Sequence, residues 1–169
     1  MKKLIGGKHH LGLFLSLITL ILLAGCQAGR ELPGLGGEAA TRTGQLRYAT
    51  RARSFIGDFI LRTSPSGDYD LAFSKSGVSI LQIQVHADRL SATGSFVRGG
   101  WSGSASHAPG PLRTWAELHQ VIPYFYSTQS QASAGNNAWR ATFVRQGPRL
   151  QSAQIRFAHG ESLLFNFAP

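Results

Sequence analysis

Few side chains in this sequence are spaced for chemistry. Ser102 sits in Gly100-Trp-Ser-Gly103 but lacks the glycine that a nucleophile elbow places two residues after its serine. His86, His107, His119 and His159 stand apart. No His-x-His or His-Glu-x-x-His pair presents two ligands on one face, so no metal site is expected. Asp58, Asp68 and Asp70 are the nearest approach to a carboxylate pair, but Asp68 and Asp70 flank a turn and are expected to solvate a strand face. Gly34, Gly36 and Gly37 open no strand-to-helix unit with a following lysine, which excludes a phosphate loop. No catalytic residue and no cofactor are expected, and the chain is not expected to be an enzyme. One reactive group remains, the lone Cys26, which excludes an internal disulfide or a multi-cysteine centre.

The surroundings of Cys26 give it a role. Lys2, Lys3 and Lys8 form a positive head, and Leu11 to Ala24 is a nearly unbroken apolar run of 14 residues. A membrane-spanning helix needs about 20, so the segment reads as a secretion signal, residues 1–25. It ends in Leu23-Ala24-Gly25-Cys26, which resembles the lipobox of bacterial lipoproteins. That resemblance implies cleavage before Cys26, a diacylglyceryl thioether on its thiol and an acylated, palmitate-bearing amine. Two or three acyl chains hold a protein at a membrane far better than one. Gln27 follows the cysteine where the sorting rule of such proteins reserves Asp for inner-membrane retention, so the expected location is the outer membrane, lipid-anchored, on its periplasmic face. Residues 26–43 then form the lipidated cysteine and a flexible tether rich in glycine and small residues.

The charge balance is +9 over 169 residues, with only 15% of them charged. Without the three signal lysines, 14 basic residues face 8 acidic ones, and 13 of the 14 are arginine with no run of four. An exported chain with scattered arginine is not expected to bind nucleic acid. Arg47, Arg51 and Arg53 are the densest group. Guanidinium forks suit phosphate, so these three are read as holding the domain against lipid head groups near the tether. Arginine as a plain solubilising cation is the other reading.

Residues 44–169 must position whatever function there is, and they are written mostly in period two. Strands are expected at Phe55–Arg62, Tyr69–Ser74, Val78–Val85, Leu90–Phe96, Trp139–Arg145, Leu150–Phe157 and Ser162–Phe167, joined by turns such as Ser64-Pro-Ser-Gly67 and Lys75-Ser-Gly77. Pro111 suits a first helical turn, and Leu112, Trp115, Leu118, His119 and Ile122 recur at helical spacing until Pro123. The expected fold is mainly β (α+β): a curved antiparallel sheet or unclosed barrel of about 7–8 strands with one covering helix. Several strands are apolar on both faces, Phe55, Phe59 and Leu61 against Ile56 and Ile60, so one face packs on the helix and the other on something else. The sheet curling on itself and an apolar guest both remain open.

This order of elements resembles the LolA and LolB lipoprotein carriers. The resemblance rests on the lipobox at Cys26, the hairpins around Phe59-Ile-Leu61 and Tyr69-Asp-Leu-Ala-Phe73, the Leu112-Arg-Thr-Trp115 helix entered through Pro109 and Pro111, and the late strands from Trp139. It implies an unclosed β-barrel with helices across its mouth. It also implies an apolar guest, lipid or lipoprotein acyl chains, and a part in lipoprotein localisation to the outer membrane. LolB carries an exposed apolar side chain on an early hairpin loop, whereas Thr63-Ser-Pro-Ser-Gly-Asp68 offers none. What the resemblance implies is therefore lipid or acyl-chain binding.

On the guest reading, Phe59, Leu61, Leu71, Phe73 and Ile83 from the strands and Trp115, Leu118 and Ile122 from the helix bind the ligand. The expected partners are membrane lipid, through acylated Cys26, and acyl or lipoprotein cargo, with the protein itself a monomer. The alternative is a non-catalytic envelope interaction or assembly module with a filled β core, whose surface includes Trp101 and Tyr124-Phe-Tyr126.

Overall fold

In the computed structural model of the protein, residue 35 and residues 39–127 and 132–169 are described. The readings that fall on residues 1–34 and 36–38, namely the signal segment, Cys26 and most of the tether, lie outside the described residues.

The chain forms ten strands, most of them alternating apolar and polar residues: β1 (Ala40–Ala49), β2 (Ser54–Thr63), β3 (Tyr69–Lys75), β4 (Val78–His86), β5 (Arg89–Thr93), β6 (Trp101–Ser104), β7 (Ser133–Gly135), β8 (Trp139–Gln146), β9 (Arg149–Phe157) and β10 (Ser162–Phe167). A 3-10 turn at Ala105–His107, helix α1 (Gly110–Leu118) and a second 3-10 turn at Ile122–Phe125 fall between β6 and β7. The strands form a single antiparallel sheet in the order β6-β5-β4-β3-β2-β1-β10-β9-β8-β7. Two meanders are thus joined where β1 pairs with β10, from Gly44 opposite Phe167 to Ala49 opposite Ser162. Among the described residues β6 and β7 are not paired with each other, so the sheet stays unclosed. The architecture is the expected mainly-β class, with ten strands in place of seven or eight.

The differences are local. Ala40–Thr43, read as the last residues of the tether, belong to β1, because each has a partner on β2, Ala40 opposite Thr63 through Thr43 opposite Ile60. Helix α1 ends at Leu118, short of Ile122. The chain tightens into three-residue bonds, Gln120 N–H to Glu117 O and Val121 N–H to Leu118 O, ahead of Pro123, which disfavours α-helical backbone in the residue before it. Ile122 is still buried.

One face of the sheet carries the core. Leu46, Phe59, Leu61, Leu71, Phe73, Ile83, Ile155 and Phe165 all point inward and are buried. The second apolar set does not meet another layer. Ile56 and Ile60 are 54% and 53% exposed on the outer face of β2, so the expectation that both faces of that strand pack is corrected. Curvature needs close backbone approach where β1 meets its neighbours. Gly44 has φ +152°, and a Cβ there would overlap the carbonyl oxygen of Asn166 on β10. Only glycine holds that position without strain.

Candidate functional site

Helix α1 packs on the buried face of the sheet. Leu112, Trp115 and Leu118 recur at three-residue spacing and are all buried. The Tyr69 hydroxyl, from β3, donates to the carbonyl oxygen of Trp115 at 2.5 Å, and the Tyr48 ring of β1 lies 5.2 Å from the Trp115 ring. Burial pushes the Tyr69 phenol well up, so it remains a donor. Beyond α1, Phe125 meets Phe143, Phe165 and Phe167 with ring centroids 6.2, 6.0 and 5.7 Å away. Of the Tyr124-Phe-Tyr126 cluster, Phe125 is core while both tyrosines are half-buried.

The eight residues read as ligand-binding, Phe59, Leu61, Leu71, Phe73, Ile83, Trp115, Leu118 and Ile122, do come together. None is more than 2% exposed. They pack in one core cluster, so the concavity at this depth is filled by the protein's own side chains.

Space survives at the rim. A crevice of about 190 Å³ is lined by Tyr48 and Thr50 at the end of β1, Ala52, Arg53 and Phe55 around the β1–β2 hairpin, Phe96 and Val97 after β5, and Pro111, Leu112 and Trp115 of α1. Its walls are aromatic: Phe55 and Phe96 meet edge-on at 4.7 Å, and Tyr48 stacks on Phe55 at 6.2 Å. Of the eight predicted residues, Trp115 alone reaches this wall. An apolar cavity of about 150 Å³ holds benzene, and a drug-sized site starts near 300 Å³. The crevice lies between these two sizes.

Arg53 borders this crevice, Arg51 lies along Gly160 in the β9–β10 turn, and Arg47 is exposed on β1 with its Nε donating to Ser54 Oγ at 3.1 Å. Arg51 and Arg53 follow the far end of β1 from Ala40, where the chain enters the domain. Ten strand residues at about 3.4 Å each put roughly 30 Å between the two ends. Arg51 and Arg53 therefore lie at the opposite end of β1 from Ala40.

Sequence spacing missed a polar cluster that ties α1 to the sheet. Thr114, fully buried on α1, donates its hydroxyl proton to Glu161 Oε2 after the β9–β10 turn, while Tyr48 donates to the same oxygen at 2.8 Å. His159 Nε2 lies 2.8 Å from Thr114 Oγ1. With the hydroxyl proton given to Glu161, donor accounting assigns the Nε2 proton to that bond. The other ring nitrogen, Nδ1, faces Glu117 Oε2 at 3.7 Å, and Glu117 in turn pairs with Arg113 at 2.7 Å. Burial, then the bond to Glu161 and its charge, push the Tyr48 phenol far up, which keeps it a donor. The histidine looked isolated because its partners lie 45 and 42 residues upstream, at Thr114 and Glu117, and two downstream, at Glu161. A buried threonine within a helix whose face is otherwise apolar is the one sequence signal that could have pointed here.

Asp70 departs from expectation in the opposite sense. It is 4% exposed on β3, neither carboxylate oxygen accepts a hydrogen bond, and His86 Nε2 stands 3.4 Å away. Burial raises its pKa above the usual carboxylate value, against the lowering effect of His86. Among the described residues no group of three or more His, Cys, Asp or Glu is placed to hold a metal ion.

No protein-family model matches the chain. No curated protein matches it either. Among solved structures the chain is similar to a LolA superfamily protein from Nitrosomonas europaea, at 8% identity and a TM-score of 0.42, over 80% of this chain and 86% of that one.

Proposed function

We propose that the protein is a lipid-anchored envelope protein, held at the periplasmic face of the outer membrane by acylated Cys26, that takes the end of an acyl chain in the crevice beside α1. The crevice itself carries this reading: an aromatic-walled space of about 190 Å³ at the mouth of an unclosed sheet, with the Arg53 guanidinium at its border. An acyl chain entering there places its polar end near Arg53 and Arg51, where arginine forks suit a phosphate or carboxylate. The closed crevice is a weak site. It holds roughly six water-sized units at about 30 Å³ each. Methylenes in that space contribute about 0.8 kcal/mol apiece, near 5 kcal/mol gross, which the cost of association largely offsets. Useful affinity requires either the head-group contact or displacement of α1 to expose the core beneath. Non-covalent holding of acyl chains during lipoprotein localisation is the role this arrangement would serve.

The packing of the eight buried core residues favours a second reading, an envelope interaction or assembly module whose core is simply filled. Titration with a fluorescent fatty acid separates the two. Saturable binding that Val97→Trp abolishes supports the crevice; binding that is absent, or indifferent to that substitution, supports the module. Labelling with radioactive palmitate tests the anchor independently, since Cys26→Ser must abolish incorporation.

A further inference from the structure

We infer that the end of the barrel opposite the crevice holds a site for a phosphate-type anion, built by Arg42 of β1 and Arg149 of β9 with Arg145 of β8 behind them. A cavity of about 330 Å³ lies there, lined by Arg42 with Thr41 and Thr43 on one side and by Arg149 beside Pro148 and Leu150 on the other. Arg42 is half-buried on the inner face of β1. Its Nη1 donates to Thr63 Oγ1 at 2.9 Å and its guanidinium lies 5.0 Å from the Tyr126 ring centroid. Arg145 is also half-buried and donates from Nη2 to the carbonyl oxygen of Tyr124 at 2.7 Å, while its Nε is buried without a partner.

Among the described residues none of the three arginines has a carboxylate within ion-pair distance. Withdrawing guanidinium groups from water and setting them near one another is unfavourable unless an opposite charge joins them. Burial, and next the nearby Arg42 charge, lower the pKa of Arg145. Neutral contacts position both side chains and leave their charge uncompensated. The Tyr126 hydroxyl, donating to the Thr63 carbonyl oxygen and lying 2.7 Å from its side-chain oxygen, braces the wall that holds Arg42. An oxyanion with several acceptor oxygens matches forked donors converging from two strands. Free phosphate and a phospholipid head group offer the same chemistry. The proposal does not depend on the crevice, because no residue lines both cavities.

The test is ³¹P NMR on the full-length protein in non-ionic detergent, titrated with inorganic phosphate and, separately, with phosphatidylglycerol or phosphatidylcholine in the micelle. Wild type is expected to shift or broaden one of these resonances saturably. Arg42→Gln and the exposed Arg149→Gln are expected to weaken that binding about tenfold or more, with Arg89→Gln as a charge-matched control that leaves it intact. Saturation by inorganic phosphate alone assigns a free anion. Saturation by phosphatidylglycerol, with none by phosphate, assigns a lipid head group. Arg149→Gln retains the Arg42–Thr63 contact, so a folding defect in Arg42→Gln does not obscure the result. No saturable binding of any probe, or binding that Arg149→Gln and Arg89→Gln leave equally unchanged, overturns the site.

Discussion

Replacing Thr114 with valine tests whether the polar cluster at the β9–β10 turn holds α1 on the sheet. The substitution keeps the branched shape and much the same helix propensity, so what disappears is the hydroxyl. That hydroxyl serves two partners, the Glu161 carboxylate and His159 Nε2. Leaving a buried partner unsatisfied costs about 1–3 kcal/mol. The side chains of Glu161 and His159 are 19% and 20% exposed, so water can partly replace the lost bonds, and Glu161 keeps its bond from Tyr48. The expected loss is therefore in the lower half of that range, about 1–2 kcal/mol. For a domain of about 130 residues this lowers Tm by roughly 4–8 °C. Because the lost bonds all lie between α1 and the sheet, the helix should open more often, and an apolar dye such as anilinonaphthalene sulfonate should bind more to the variant under native conditions. Thr114→Ser, which keeps the hydroxyl, should retain the low dye binding of wild type. A Tm within 1 °C of wild type for Thr114→Val, or dye binding by the serine variant equal to that of the valine variant, refutes the latch.

Three further outcomes follow from the same geometry. Val97→Trp fills the crevice from its half-buried rim and should reduce fatty-acid binding at least about tenfold, near 1.4 kcal/mol, with Tm held within a few degrees in thermal melts. Asp70 keeps its proton to higher pH in the folded state than in the unfolded chain, so folding takes up a proton between the two pKa values and stability falls as pH rises through them; Asp70→Asn should accordingly gain Tm over wild type as pH rises above the ordinary carboxylate value of about 4, and an advantage that shrinks as pH rises from there contradicts the assignment. Gly44→Ala forces a side chain into a positive-φ position against Asn166; since such strain costs of order 1–3 kcal/mol before the overlap is relieved, urea titration should show a midpoint well below wild type.

The sheet was legible where alternation was strict. Tyr69, Leu71 and Phe73 opposite Val85, Ile83 and Leu81 pair as their period-two pattern implies, and the late strands from Trp139 follow the same rule. Strands β1, β6 and β7 were not among the seven expected. Trp101-Ser-Gly-Ser104 and Ser133-Ala-Gly135 are short, small-residue edge strands, and they join the sheet through pairing with β5 and β8 rather than through an apolar face of their own. The pairing of β1 with β10 spans more than a hundred residues and leaves no local trace. The same distance hid the site. The apolar residues that alternation selects become core because the helix covers them, whereas the crevice is walled by hairpin ends and a loop, Phe55, Phe96 and Val97, whose meeting depends on how far the sheet curls. The Thr114–His159–Glu161 cluster draws on three stretches of chain, and Arg42 with Arg149 on two strands separated in the sheet by β10, so neither has a spacing to detect.

The most direct test of the crevice as an acyl-chain site is mass spectrometry of the mature protein extracted from native membranes in mild detergent, comparing wild type with Val97→Trp. Wild type should carry non-covalent acyl lipid in addition to the mass of its lipidated cysteine, and the variant should keep the covalent lipid while losing the bound one. Wild type with no lipid beyond the anchor, or equal bound lipid in both proteins, contradicts the proposal.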